Sequence, residues 1–179
     1  MLLRGPHVAG VDLAVVRRSS IAFTDECIKF ERVSRERLAE FLSSFDIVVI
    51  DAPLSKPRNG AFRDFERVLL ARGFKLLPPS FSSMAKLTEL GCELKEELES
   101  LGVAVYETHP RSARTVMGLS ELELVDTMSK YSFCSHPKSK DDFDALTCLA
   151  VGLLHLKGLT EVVEGSEGML LLPLPFSKP

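Results

Sequence analysis

Short apolar runs separated by polar breaks divide the chain into elements. The first, from His7 to Val16, is rich in Val and Ala and holds a single acid, Asp12. Arg17-Arg18-Ser19-Ser20 breaks it. Residues 21–24 and 28–33 are two further strand-like runs, and Asp25-Glu26 suits a tight hairpin between them. The simplest arrangement of these three strands is an antiparallel meander. Ser34 then reads as an N-cap, and Leu38, Phe41, Leu42 and Phe45 follow at helical spacing, which predicts a helix over 35–44. Ile47-Val48-Val49-Ile50 is an unbroken β-branched run, the pattern of a strand buried on both faces in a parallel sheet, and it ends at Asp51-Ala52-Pro53. Helical periodicity covers 61–72 and 84–101, with Pro78-Pro79 between them. A strand over 103–106 ends at Glu107. A weaker helix is predicted over 120–131 and a strong one over 141–157, nearly all apolar after Asp144 and therefore buried. Met169 to Leu172, closed by Pro173 and Pro175, predicts an edge strand or a strap over the core.

The order β-β-β-α-β-α-β-α is that of a ribonuclease H-like α/β fold. It implies a five-stranded mixed sheet, a three-strand antiparallel meander followed by two parallel strands, flanked by helices. Right-handed helical crossovers make strands four and five run parallel to the first. At 179 residues the chain is sized for one domain over 1–179. It carries a helical elaboration around 56–101 and a short C-terminal strap over 168–179.

The acids change this picture from scaffold to site. Asp12 sits among residues that otherwise read as buried strand, where a lone charge is costly unless paired or bound to a cation. Asp51 and Glu107 end the other two buried strands. Parallel neighbours share one C-terminal edge, which is where open α/β sheets bind ligands. Alternation puts Asp51 on the face of Ile47 and Val49, and Glu107 on that of Val103 and Val105; a register bringing both beside Asp12 is available. In Lys140-Asp141-Asp142-Phe143-Asp144, Asp141 and Asp144 are three apart and share a helix face, while Asp142 points about 100° away, toward solvent. Carboxylates converging in an apolar setting repel one another and stay ionised only with divalent cations among them. An all-oxygen donor set favours Mg²⁺ or Mn²⁺, and two such ions can clamp the attacking and leaving oxygens of a phosphodiester displacement.

Composition narrows the partners. The formal charge of −3 excludes a protein held to nucleic acid by bulk charge, leaving only a local patch. Lys56, Arg58 and Arg63 follow Asp51, Arg111 and Arg114 follow Glu107, and Lys138 and Lys140 precede the acid pair, so a positive rim for a phosphate-bearing substrate is expected at that edge. His109 is read as a turn residue before Pro110. The longest uncharged apolar stretch, 145–156, has 12 residues where a membrane span needs about 20, and the N-terminal run contains Asp12, unlike a signal peptide. A cytoplasmic location is expected. Cys27, Cys92, Cys134 and Cys148 form no C-x-x-C pair and read as buried reduced thiols; Cys134 and His136 make at most half a metal site. Asn59 is the only asparagine and glutamine is absent, a composition typical of thermophiles.

Gly10-Val11-Asp12-Leu13-Ala14, Ile50-Asp51-Ala52-Pro53-Leu54-Ser55, Glu107-Thr108-His109-Pro110 and Lys140-Asp141-Asp142-Phe143-Asp144-Ala145-Leu146 together resemble the motifs of the family catalogued as domain of unknown function four-two-nine, described as predicted nucleases of ribonuclease H-like fold. Arg63-Asp64 resembles its arginine-bearing helix, and the likeness runs from about residue 7 to residue 157. The acid layout is also similar to that of RuvC-type resolvases. These resemblances imply a metal-dependent nuclease or phosphodiesterase acting on nucleic acid, DNA or RNA. Asp12, Asp51, Asp141 and Asp144 are then metal ligands, Glu107 is an additional acid, and Lys56, Arg58, Arg63, Arg111 and Lys140 hold substrate. Two rivals share the fold: a non-catalytic module that binds nucleic acid or protein, and a phosphotransferase of the actin-like superfold. The second lacks its expected glycine-rich phosphate loops here. An apolar tail ending in Phe176 would pack on the body or on a second copy of the chain in a homodimer.

Overall fold

Strand β1 (Val8–Asp12) occupies the centre of a five-stranded sheet in the order β3-β2-β1-β4-β5. The computed structural model describes residues 5–176, apart from the side chain of Ser83. Strands β2 (Ser19–Thr24) and β3 (Ile28–Val33) complete an antiparallel meander with β1. A short 3₁₀ turn, Arg35–Arg37, leads into α1 (Leu38–Leu42). Strand β4 (Ile47–Asp51) runs parallel to β1, and β5 (Ala104–Glu107) parallel to β4. Between them lie α2 (Asp64–Ala71) and α3 (Ser82–Ser100). Helices α4 (Pro110–Met117), α5 (Glu121–Met128) and α6 (Lys140–Leu156) follow, then a hairpin of β6 (Thr160–Gly165) and β7 (Gly168–Pro173). The mixed sheet is the one that the order of elements implies.

Alternation along the buried strands makes two cores. Val11, Val48 and Ile50 face α1 and α3 with Leu38, Leu42 and Leu98. Val8, Val49 and Ala22 face α6 with Ala145, Cys148 and Leu149. Helix α6 lies unusually close to β1 because both surfaces are bare at the crossing. A Cβ on Gly10 would collide with the backbone of Ala145, Cys148 and Leu149, and one on Gly152 would meet Val8 Cγ1 at 2.6 Å.

Two elements were not anticipated. Helix α4 begins at Pro110, whose fixed φ suits the first helical position, and ends at Gly118 with φ 67°, a left-handed cap. Strand β6 turns the apolar tail into a separate hairpin rather than an edge strand of the main sheet. Leu170, Leu171 and Leu172 are buried, and Thr108 Oγ1 donates to Leu171 O at 2.8 Å, joining the hairpin to the end of β5.

The cysteine expectation is corrected for one pair. Cys27 and Cys134 are joined by a disulfide with Cα atoms 5.6 Å apart, although 107 positions separate them in sequence. Their elements meet because Cys134 N donates to Ile28 O, at the start of β3. Cys92 and Cys148 are free. His136 stacks on Phe133, with ring centroids 4.9 Å apart, instead of sharing a metal with Cys134. Among the described residues, no helix is long and apolar enough to cross a membrane.

Candidate functional site

Parallel pairing sets Asp12 directly opposite Asp51. Residues in register across a sheet point to the same face, so both carboxylates emerge side by side at the C-terminal ends of β1 and β4, beneath α6. The close approach of α6 at Gly10 brings the helix's first turns down over this edge, and with them Asp144. One oxygen from each of Asp12, Asp51 and Asp144 lies within 4.8 Å of the others. Asp12 and Asp144 are buried; Asp51 is partly exposed. Asp12 and Asp51 open onto a cleft of about 750 Å³ that runs along the sheet edge.

The cluster is electrostatically strained. Burial, reinforced by Asp141 and Asp144 and opposed by Arg17, pushes the Asp12 carboxyl up to about 6. Burial and then the neighbouring Asp12 and Asp144 carboxylates hold Asp51 well above the usual carboxylate range. Cationic side chains screen the rest. Arg17 Nη2 donates to Asp12 Oδ2 at 3.2 Å and to Asp141 Oδ1 at 2.9 Å. Asp144 accepts from Arg114 Nη1 at 2.8 Å and from Lys140 Nζ at 3.1 Å. The hydrogen bond that Lys140 donates to Asp144 raises its ammonium above its ordinary value.

Asp141 sits beside the triad rather than within it, held by Arg17 and by Arg32 Nη1 at 3.1 Å. Asp142 is buried, not solvated. It accepts from Ser20 Oγ at 2.6 Å, Arg32 Nη2 at 2.8 Å and Lys138 N at 2.9 Å. Despite burial, these partners, Ser20 foremost, keep its carboxyl below the usual range. Ser20 of β2 extends under the helix start and occupies the direction that the helical wheel gives to solvent.

Glu107 is on the other face of the sheet. Its register partner is Ile50, one position before Asp51, and a one-residue offset reverses a strand's faces. Glu107 Oε1 and Oε2 accept from Arg63 Nη2 at 2.6 Å and Nη1 at 2.7 Å, and Oε2 also accepts from Leu54 N at 2.8 Å. Arg63 Nη2 donates further to Glu66 Oε1 at 2.7 Å, and Arg63 is 1% exposed. Burial still outweighs Arg63 and leaves the Glu107 carboxyl raised. This buried group braces the loop after Asp51, whose Ser55 Oγ also accepts from Arg63 at 3.1 Å. Arg63 is thus an internal anchor, and with Glu66 and Glu107 it also lines the cleft.

Of the other expected substrate contacts, Arg111 lines the cleft. Lys56 lies 3.6 Å from Glu89 on an exposed surface, and Arg58 is exposed. His109 is held below its ordinary value by burial, and its Nδ1 lies 2.7 Å from Ser112 Oγ. Sequence reasoning missed Arg17 and Arg32 and did not pair Arg114 with an acid. The Arg17-Arg18 pair immediately after the Asp12 strand was a usable signal, because a turn leaving that strand end stays beside it.

No family model matches the chain, and no curated protein sequence matches it. Among solved structures, Thermus thermophilus RuvC in complex with a Holliday junction substrate is similar over 93% of this chain and 100% of that one, with a TM-score of 0.55 and 13% identity. A second Thermus thermophilus RuvC structure is similar over 92% of this chain and 99% of that one, with a TM-score of 0.51 and 12% identity. At such identities the likeness shows a shared ribonuclease H-like fold and no more.

Proposed function

We propose that this chain is a divalent-metal-dependent nuclease that hydrolyses phosphodiester bonds in nucleic acid. One observation carries the reading: three carboxylates from β1, β4 and α6 converge to within 4.8 Å in a buried setting at the ligand-binding edge of the sheet. The donor set fits a hard cation. It is all oxygen, and the strain on Asp12 and Asp51 is the kind that a positive ion relieves. Asp12, Asp51 and Asp144 would hold Mg²⁺ or Mn²⁺, with Asp141 adjacent. Such ions supply an activated water and charge stabilisation on phosphate oxygens. RuvC shares the fold and, by its complex, binds a Holliday junction, which supports nucleic acid as the substrate class.

The chain's own residues have distinct tasks in this reading. Asp12 and Asp51 stay in register because β1 and β4 are hydrogen-bonded neighbours. Arg63 and Glu107 keep the 53–55 loop in place beside Asp51. Arg17, with a side chain 59% exposed, and Lys140, 79% exposed, are free to turn from the acids toward an incoming phosphate. Arg111 faces the same cleft.

The test is cleavage of labelled single-stranded, duplex and junction DNA and of RNA, each with Mg²⁺, Mn²⁺ or EDTA. Metal-dependent hydrolysis that Asp51→Asn abolishes is the expected result. Absence of cleavage on every substrate, with no metal-induced thermal shift, would refute the reading.

A further inference from the structure

The sheet register extends the acid row beyond the triad. Ser20 is paired with Asp12, and Arg32 with Ser20, so Asp51, Asp12, Ser20 and Arg32 form one lateral row on the α6 face. Arg32 stands two strand spacings from Asp12, about 10 Å. Beyond it, along the outer strand, lies a groove of about 250 Å³. Arg18, Arg32 and Arg37 line it with Ser34, Phe41 supplies an apolar wall, and Glu31 is its acid.

Arg18 and Arg37 are not committed to the fold, whereas Arg32 is held by Asp141 and Asp142. Arg18 is exposed and makes no ion pair among the described residues. Arg37 only approaches Glu40 at 3.8 Å, with side chains 72% and 79% exposed. Arg17 and Arg32 share the Asp141 carboxylate, so cationic side chains run without a break from the triad to the groove. Within the groove Arg18, Arg32 and Arg37 stand against one acid, Glu31, and guanidinium groups match phosphate geometry in a bidentate manner. Of the rim expected from the sequence, Arg63 and Arg111 line the cleft and Arg114 and Lys140 pair with Asp144, whereas Lys56 and Arg58 lie outside the cleft lining.

We infer that the groove between Arg18, Arg32 and Arg37 binds the phosphate backbone of a nucleic-acid strand whose scissile bond lies at the acid triad. The inference rests on the nuclease reading and adds the strand's direction: from the triad, past Arg17, over the β2–β3 side of the sheet. Phosphate contacts of this kind position a strand without reading its sequence.

Binding isolates the groove from catalysis. Fluorescence anisotropy of a labelled 20-nucleotide single-stranded DNA, the same sequence as RNA, and its DNA duplex, each with Ca²⁺ in place of Mg²⁺, is measured over a salt series. Arg18→Ala/Arg37→Ala should weaken the preferred probe about tenfold and reduce the salt slope by about 1.4, the loss of two single-strand phosphate contacts. Arg18→Lys/Arg37→Lys should keep most of that slope. The melting temperature and the Mn²⁺-induced thermal shift of the variants should equal those of the parent. If the alanine variant binds with parental affinity and salt slope, the groove is not the track, while the nuclease reading stands. If the parent binds none of the three probes, the track falls, and the nuclease reading is decided by the cleavage and metal-shift measurements.

Discussion

Replacing Asp12 by Asn should make the metal-free protein more stable. In the native state burial and the adjacent carboxylates raise Asp12 from 3.8 to about 6. Each unit is worth about 1.36 kcal/mol, so ionising this buried group costs the native state about 3 kcal/mol. The sign follows from proton binding. A carboxyl raised on folding binds its proton more tightly in the native state, so the penalty is absent below pH 4, grows through pH 6 and is complete above it. Asn cannot ionise and fills the same volume, and Arg17 keeps Asp141 as its partner. In EDTA at pH 7.5, Asp12→Asn should gain up to about 3 kcal/mol, a rise of roughly 6–12 °C at 2–4 °C per kcal/mol for a chain of this size. The gap should close by pH 4. Mg²⁺ or Mn²⁺ at 100 times the parent's Kd should close most of that gap, because the parent gains about 2.7 kcal/mol and the variant does not. Circular dichroism melts across pH, with EDTA and with metal, give all three comparisons. A variant that melts at or below the parent in EDTA at pH 7.5 would refute the claim that burial and its acidic neighbours make ionised Asp12 costly.

Other perturbations test the supports of the site. Gly10→Ala places a methyl against the backbone of α6 and should cost about 1–3 kcal/mol in a thermal melt while shrinking the metal-induced shift; a parental melt would mean that α6 does not depend on that contact. Arg63→Met strands Glu66 and Glu107 in the interior and should lose about 3–5 kcal/mol by urea denaturation, whereas a loss under about 1 kcal/mol would remove the brace from the account. The Cys27–Cys134 disulfide closes a loop of just over 100 residues, so dithiothreitol or Cys134→Ser should lower stability by about 4.7 kcal/mol. Thiol titration of the denatured, unreduced chain should find only Cys92 and Cys148.

Much of the fold was legible because local pattern and topology agreed. The β-branched run 47–50 can be little but a buried strand, and the helix that starts at Lys140 carries its apolar character for four turns. Where competing signals met, the sequence misled. His109-Pro110 reads as a turn, yet the same proline is a good first residue for α4. Thr160-Glu161-Val162-Val163 is too short and too polar to announce β6 without its partner. In the site, Asp12 and Asp51 were legible as single acids in apolar runs, and Asp144 as the last acid before a long one. Glu107 was equally conspicuous but depended on register, and a one-position offset between β4 and β5 is invisible in a linear chain. The roles of Arg63, Asp142 and the Cys27–Cys134 pair required long-range contacts that no spacing encodes.

The central claim is that three carboxylates form one cation site, and its most direct measurement is anomalous diffraction at the manganese edge from crystals equilibrated with Mn²⁺. The account requires a peak within ligand distance, about 2.0–2.2 Å, of oxygens from Asp12, Asp51 and Asp144, with Lys140 Nζ withdrawn from its present 3.1 Å contact with Asp144. A map with no peak among those three carboxylates at saturating Mn²⁺, and with Arg17 and Lys140 still seated on their acids, would contradict it.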